Sequence, residues 1–159
     1  MDITIDASGM EPLRRKIAAF ENRAKRAMRM SMEATLLVVW ENVPPYPDPP
    51  ATSTYTRTGT LGRSLGSSEQ GGMGGQSPDI LKVDVKGDQI TGTFGTTLYY
   101  APYVIGGDTG LAQSQTATHA RTGWYTIPQT LWEKSEKKVR RIWDDMAKEL
   151  VAWFEGRGA

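Results

Sequence analysis

The chain has 159 residues, a net charge of +1 and no cysteine. This length suits one domain, and the lack of cysteine excludes disulfide frameworks, thiolate metal sites and cysteine nucleophiles. The small net charge argues against attraction of the whole protein to nucleic acid or to an anionic membrane. The longest apolar run, Leu36 to Trp40, is too short to cross a bilayer, and the N-terminus lacks the positive flank of a signal peptide. We therefore expect a soluble protein that is synthesised inside the cell.

A helical pattern dominates residues 1 to 43. After a short alternating stretch at Ile3 and Ile5, Ser8 and Glu11 have the spacing of a capping box. Steps of three and four then predict one amphipathic helix over about residues 9–42. At roughly 50 Å it is longer than a domain of this size needs, which suggests packing against neighbouring subunits. Its stripe consists of Leu13, Ile17, Phe20, Ala24, Ala27, Ser31, Ala34 and Val38; the small members permit close packing, either within the chain or between subunits.

Prolines end this helix, because each lacks an N–H donor and biases the preceding residue towards extended geometry. The proline segment is either a polyproline ligand for a partner or a rigid surface spacer. Residues 58–65 suit a short helical turn, and the glycine run after them has neither the preceding strand nor the ending of a phosphate-binding loop. We interpret 44–57, 67–78 and 106–119 as flexible or extended loops.

Two alternating runs, 81–85 and 90–94, flank the turn residues Gly87 and Asp88 and predict a β-hairpin. A further strand is expected over about residues 120–127. A second long amphipathic helix should follow, with Thr126 as its cap, Pro128 in its first turn and Gly156 at its end.

The fold class predicted from these elements is α+β. A small antiparallel β-sheet packs with two long amphipathic helices, one N-terminal and one C-terminal, in a single domain over residues 1–159. Because Trp132, Trp143 and Trp153 all lie on the C-terminal helix, that helix is expected to be heavily buried.

The chain carries no convincing catalytic constellation. His119 stands alone in a polar loop without the partners of a zinc site or a triad. Asp108-Thr109-Gly110 has the letters of an aspartic protease motif, but it follows a glycine pair and not a buried strand. We therefore expect no enzymatic activity, no catalytic residues, no metal site and no cofactor.

Basic residues cluster on the N-terminal helix around Arg14, Arg15 and Lys16 and again around Lys25, Arg26 and Arg29. They are either a solvated helix face, interrupted by Glu11, Glu21 and Glu33, or a phosphate-contacting surface. The second interpretation would make the chain a small nucleic-acid-binding module that uses the basic face of this helix.

Two segments of the middle zone resemble elements of one bacteriophage family. Residues 57–65, Arg-Thr-Gly-Thr-Leu-Gly-Arg-Ser-Leu, are similar to its Thr-Gly-x-Leu-x-x-Ser-aliphatic element, and residues 95–104 to its Gly-(several)-Tyr-Ala-x-Tyr-Val element. The family is the gene-product-ten-like tail-component group of long-tailed phages. The chain departs from it at 105–107, Ile-Gly-Gly, where the family often has Glu-x-Gly, and in its long polar insertion at 108–122.

The resemblance implies a structural virion protein, a ring-forming neck or tail-completion component that joins tail to head. Its partners would be further copies in a six-fold or twelve-fold ring, the adjacent head-completion or portal-side proteins and the tail-tube or terminator proteins. It implies no membrane, and nucleic acid at most as DNA passing through the lumen. The protein would be synthesised in the bacterial host cytoplasm and reside in the neck or tail region of the virion, with residues 44–57 and 69–78 as docking segments that are mobile in the free protein and ordered in the particle.

The same resemblance nominates two groups of residues. Arg57, Thr58, Gly59 and Leu61 are expected to form a structural joint. Tyr99, Tyr100 and Tyr103 are expected either to anchor contacts between subunits or to pack in the core.

Overall fold

A computed structural model of the chain describes residues 10–45, 47–49, 51, 58–69, 71–106, 116–124 and 127–156. Its elements in chain order are α1 (Glu11–Glu41), α2 (Thr60–Ser64), β1 (Ile80–Lys86), β2 (Gln89–Gly95), α3 (Ala101–Ile105), α4 (Ala117–Arg121) and α5 (Ile127–Phe154). The predicted α+β class is confirmed, with two long helices and a two-stranded antiparallel sheet among the described residues.

Helix α1 contains 31 residues, which makes it about 46 Å long. It agrees with the predicted helix to within two residues at each end. Pro12 lies in the first turn, where its missing N–H removes no helical hydrogen bond. Met10 precedes the helix without a side-chain cap. The predicted capping residue Ser8 and the alternating residues Ile3 and Ile5 lie outside the described residues.

Helices α1 and α5 pack side by side and run antiparallel. Near the middle of the pair, Trp143 on α5 contacts Thr35 on α1. Towards the start of α1, the Phe20 ring stacks on Trp153, with 6.2 Å between the ring centroids, and meets the edge of Phe154 at 5.1 Å. The first turns of α1 leave large apolar side chains exposed to solvent. These are Met10, Leu13 and Ile17.

The predicted hairpin is confirmed, with Gly87 and Asp88 forming its two-residue turn. Gly87 has a φ of 59°, in the left-handed region that glycine tolerates at no steric cost. The sheet lies against α1 so closely that a β-carbon at Gly92 would come within 2.5 Å of the Met32 sulfur. An ion pair of 3.4 Å between Lys25 and Asp88 ties the turn to the same helix.

The hydrophobic core lies at the end of the molecule where α1 ends and α5 begins, and we call this end the head. It is built from residues that are distant in sequence, so the head is a product of tertiary packing. Its buried members are Val43, Leu61, Leu65, Ala101, Val104, Ile105 and Leu131, with Val39, Trp40, Phe94, Leu98, Tyr100 and Trp124 packed against them.

The predicted strand over 120–127 is wrong. Residues from Ala117 to Arg121 form α4, in which the Ala120 N–H donates to the Thr116 carbonyl at 3.1 Å. Gly123 then has a φ of 81°, which a strand does not accommodate. The loop expected over 106–119 accordingly gives way to helix at Ala117.

The heavy burial predicted for the C-terminal helix is also wrong for this chain on its own. The Trp132 side chain on α5 is 52% exposed, while Trp143 and Trp153 are half-buried. Apolar periodicity identified the side of the helix that carries these residues, but the described part of the fold covers only part of that side. The predicted end at Gly156 agrees with the structure, where this residue has a φ of 76° after Phe154.

Candidate functional site

The two segments that carry the family resemblance meet in the head. Leu61 on α2 and Val104 on α3 belong to the same buried cluster. Beside them, the Thr96 hydroxyl donates to the Ser64 hydroxyl oxygen at 2.7 Å, joining the end of the hairpin to α2. Residues about 40 positions apart in the sequence therefore act as one packed unit. We take the head as the candidate functional site.

The predicted structural joint lies at the start of α2. Gly59 precedes this helix with a φ of 68°, and its carbonyl accepts the Arg63 N–H at 3.1 Å. The hydroxyls of Thr58 and Thr60 lie 2.9 Å apart across it. Leu61 follows directly and is buried in the core. The glycine thus allows the chain to turn sharply and insert Leu61; Arg57, the fourth predicted member, lies outside the described residues.

The three tyrosines differ in their exposure. Tyr100 is half-buried and packs against the core. Tyr99 is 86% exposed, and its ring meets the Tyr100 ring edge-on with 5.6 Å between the centroids. Tyr103 is 42% exposed. The head therefore supports one tyrosine internally and presents two on its surface.

The glycine-rich loop lies directly on the segment that leaves α1. The Gly72 N–H donates to the Val43 carbonyl at 2.6 Å, and the Gly74 N–H donates to the Gly66 carbonyl at 2.7 Å. A β-carbon at Gly71 would lie 2.7 Å from the Pro45 nitrogen, closer than side chains approach backbone. These glycines have a steric role, because they let two backbone segments touch; the predicted docking segments 44–57 and 69–78 contact each other here.

A polar cleft of about 620 Å³ opens between these segments and α2. Its lining includes the motif residues Thr58 and Gly59 and the charged side chains of Asp48, Arg63 and Glu69. Carboxylates and a guanidinium on the same walls suit a polar partner segment of mixed charge. The cleft and the motif glycine therefore form one feature of the head.

Asp79 is a residue of the head that the sequence analysis missed. Its carboxylate accepts the backbone N–H of Thr97 at 3.0 Å and the Thr97 hydroxyl at 2.8 Å, and it also accepts the Thr96 hydroxyl at 3.2 Å. The hydrogen bond from the Thr97 backbone is the main cause that lowers the pKa of Asp79. An aspartate just before a strand, with a Thr-Thr pair just after its partner strand, was the available signal.

The small-residue stripe of α1 borders a groove between α1 and α5 with a volume of about 670 Å³. Ala27, Ser31 and Ala34 lie on its α1 side, and Ile142 and Leu150 lie on its α5 side. Ser31 is buried and the two alanines are half-buried. The stripe therefore contributes to packing within the chain and borders an open groove with both apolar and charged lining residues.

The basic face of α1 is largely engaged by neighbouring side chains. Exposed ion pairs join Arg15 to Glu11 at 3.3 Å and Arg29 to Glu33 at 3.0 Å. Lys25 lies 2.8 Å from Glu21 as well as contacting the hairpin turn. Two further cations lie over aromatic rings of α5, Lys16 over Phe154 and Arg23 over Trp153. Five basic side chains of α1 thus have a neighbouring partner within the chain.

Histidine and carboxylate groups form no metal site in the part of the chain that the structure describes. The His119 Nδ1 atom shares a hydrogen bond of 2.6 Å with the Thr116 hydroxyl at the start of α4. The motif around Asp108 lies outside the described residues. Among the described helices, none combines the length and the apolar character that crossing a membrane requires.

Comparison with known proteins adds no relative to this description. Protein-family models, curated proteins and solved structures all give no match to this chain. Any functional assignment must therefore come from its residues and their geometry.

Proposed function

We propose that the chain is a structural virion protein of a tailed bacteriophage, a ring-forming neck or tail-completion component that joins tail to head. The convergence of the two motif segments in the head carries this proposal. Leu61 and Val104 share one core, while Gly59 and Tyr99 lie at its surface. Segments that resemble one family in sequence thus form one unit in space.

The exposed tyrosines support a binding role for the head. A tyrosine offers a large, rigid contact area at low entropic cost and is enriched at protein interfaces. With 86% of its surface in water, Tyr99 contributes little to the packing of the isolated chain. Tyr103 lies one helical turn further along and is also exposed. We assign these two side chains to a contact with a neighbouring subunit.

A closed ring requires two different complementary patches on each subunit. The head supplies one patch through its tyrosines. The groove between α1 and α5 supplies a candidate for the other, because its lining combines apolar residues with Arg23 and Arg26 on the α1 side and Asp145 and Glu149 on the α5 side. The polar cleft beside α2 would then bind the adjacent proteins on the capsid side or the tail side of the neck. The chain makes or breaks no bond in this role.

The proposal is tested with purified protein and with particles that lack it. Native mass measurement should detect a ring-sized assembly of the chain, alone or with an adjacent neck protein. Phage that lack the protein should accumulate separate capsids and tails. Supplying the Tyr99→Ala variant should not restore joining, whereas Val151→Ala, a change at an exposed apolar site on the far end of α5, should restore it.

Stability measurements separate loss of binding from loss of folding. Tyr99→Ala should leave the free energy of unfolding within about 0.5 kcal/mol of the parent value, since the side chain is almost fully exposed. Leu61→Ala in the same motif should lower it by roughly 2–5 kcal/mol. A strictly monomeric chain, combined with normally joined particles in its absence, would contradict the proposal.

A further inference from the structure

Strand β1 has an open edge among the described residues, because the sheet contains only β1 and β2. The two-residue turn joins the Lys86 carbonyl to the Gln89 N–H. Hydrogen-bonded pairs alternate along an antiparallel ladder, so the backbone N–H and C=O groups of Asp84 and Lys82 also form hydrogen bonds with β2. The N–H and C=O groups of the intervening residues point away from β2. These residues are Leu81, Val83 and Val85, and their outward groups make no backbone hydrogen bond to another described segment.

Side chains on this edge alternate in a pattern that suits pairing. Val83 lies opposite Gly92, where a β-carbon would point at Met32 and Leu36 on α1, so the odd-numbered apolar residues lie on the α1 face. Val85 nevertheless remains 45% exposed, as does Leu37 on α1. A hollow of about 230 Å³ separates Leu37 from the β1 edge. An exposed strand edge that adjoins an apolar hollow is a template for another strand.

The other face of β1 carries charged side chains, which determine what sequence a pairing strand must have. Lys82, Asp84 and Lys86 are all exposed, and the Lys82 ammonium lies 2.8 Å from the Asp84 carboxylate. A strand that pairs with this edge needs an apolar residue at every second position and a charge pattern of Asp opposite Lys and Lys opposite Asp. Strand β1 of a second copy, running antiparallel, meets both requirements.

We infer that two copies of the chain associate through their β1 edges about a two-fold axis at Val83. In this register each Val83 lies opposite the Val83 of the second copy, and each Leu81 lies opposite a Val85. All seven residues of the strand overlap, and every outward-pointing N–H and C=O of one copy meets a partner on the other. Lys82 of each copy then lies opposite Asp84 of the second copy.

The charges select this register over its neighbours. A shift that moves the axis to Lys82 places two lysines directly opposite each other, and a shift to Asp84 places two aspartates opposite each other. Like charges at directly opposed positions destabilise a sheet. If the pairing shifted by one residue, apolar side chains would lie opposite charged ones, and the outward backbone groups would no longer meet their partners. Of these registers, only the one centred on Val83 pairs the outward backbone groups and places Lys82 opposite Asp84; Ile80 then lies opposite Lys86 at each end of the paired strands.

The contact is isologous, with the same surface used on both copies. It differs from the head-to-groove contact of a ring and does not depend on the proposed function. It covers Val85 and the hollow beside Leu37, joining the two hairpins into one four-stranded sheet with both α1 helices on the same face. Association of the free protein in pairs is the expected consequence.

Charge reversal tests the register directly. Sedimentation of the full chain should show a reversible dimer at rising concentration. Lys82→Asp alone opposes two aspartates, and Asp84→Lys alone opposes two lysines, so each should raise the dissociation constant roughly tenfold or more. The double variant, Lys82→Asp with Asp84→Lys, should return it to within a few-fold of the parent value. Mixing the two single variants should give a heterodimer, because each then supplies the charge that the other lacks.

Disulfide trapping locates the axis. The chain has no cysteine, so Val83→Cys should give a covalent dimer under mild oxidation, with the two α-carbons about 5.5 Å apart. Thr91→Cys on β2 should not, because three strand spacings of about 4.8 Å separate it from its counterpart. A monomer at all concentrations, a dimer indifferent to the single reversals, or more efficient trapping through Thr91→Cys would overturn the inference.

Discussion

The indole N–H of Trp143 on α5 donates to the hydroxyl oxygen of Thr35 on α1 across 3.1 Å. The same Thr35 hydroxyl donates to the Ser31 carbonyl at 2.8 Å, one turn back along α1. The two bonds form a short polar relay from α5 to the backbone of α1. Because the indole reaches its partner at only one axial position, the relay fixes how α5 slides against α1.

Replacing Trp143 with Phe should lower the free energy of unfolding by about 1 kcal/mol, because the hydroxyl of Thr35 loses its donor while most of the ring packing remains. Urea denaturation gives the value. Trp132→Phe on the same helix is the matched control, since this indole is largely exposed and its replacement should change stability by less than about 0.5 kcal/mol. Equal losses in the two variants would show that the relay contributes nothing.

Ser135 on α5 has none of its surface in water, and its hydroxyl finds no hydrogen-bond partner among the described residues. An unsatisfied buried hydroxyl is destabilising, and alanine has the higher helix propensity. Ser135→Ala should therefore raise the free energy of unfolding by about 1 kcal/mol, measured by urea denaturation.

Ser64 is the control, because it is a buried serine whose hydroxyl has hydrogen-bond partners. This buried serine donates to the Leu61 carbonyl at 2.7 Å and accepts the Thr96 hydroxyl, so Ser64→Ala should lower stability by about 1–2 kcal/mol. A stability loss at Ser135 as large as the loss at Ser64 would mean that the Ser135 hydroxyl is satisfied.

Gly66 is enclosed by two segments, the end of α1 and residues 76–78. A β-carbon there would lie 2.6 Å from the Gln76 carbonyl oxygen and 2.8 Å from the Trp40 indole nitrogen, which itself donates to the Gly66 carbonyl at 2.8 Å. With a φ of 66° as well, Gly66→Ala combines backbone strain with overpacking. Thermal and urea denaturation should register a loss of about 3 kcal/mol.

Gly75 separates the two contributions. Its φ of 79° is similar, but a β-carbon there would meet nothing within 4 Å. Gly75→Ala should cost only the backbone term, about 1 kcal/mol. If both substitutions cost the same, the close approach around Gly66 is not present in solution.

Asp79 predicts a pH dependence with a defined sign. Hydrogen bonds from Thr97 and Thr96 hold its folded-state pKa below the ordinary value of 3.8. The stabilisation is therefore fully present above pH 3.8 and is lost as the pH falls through the lower folded-state pKa. Denaturation of the parent chain and of Asp79→Asn should show a stability difference at neutral pH that closes in acid. A difference that is constant across this range would rule out the linkage, and Asp144→Asn controls for the change in net charge.

Long elements of this fold were predictable because their signals repeat many times. The apolar periodicity of α1 and α5 extends over many turns, and the hairpin has an alternating run on each side of Gly87 and Asp88. The strand expected near residue 120 failed because a short aromatic and β-branched run carries little information. There, the Thr116 carbonyl starts a helical turn and Gly123 ends it.

The candidate site was predictable as a set of residues but not as an arrangement. The motif segments nominated Gly59 and Tyr99, yet the inclusion of Leu61 and Val104 in one buried cluster depends on long-range packing that periodicity does not encode. Composition likewise could not separate a glycine needed for freedom from one needed for close approach, as at Gly71. Composition also did not indicate that Trp132 would remain about half exposed on α5.

The core lies at one end of the helix pair, so the start of α1 lies far from the head. The length of α1 sets this distance at about 46 Å. A rotation of about 10° at the head would carry the start of α1 through about 8 Å, more than one helical turn. A small rotation of the head would thereby produce a large displacement at Leu13 and Ile17.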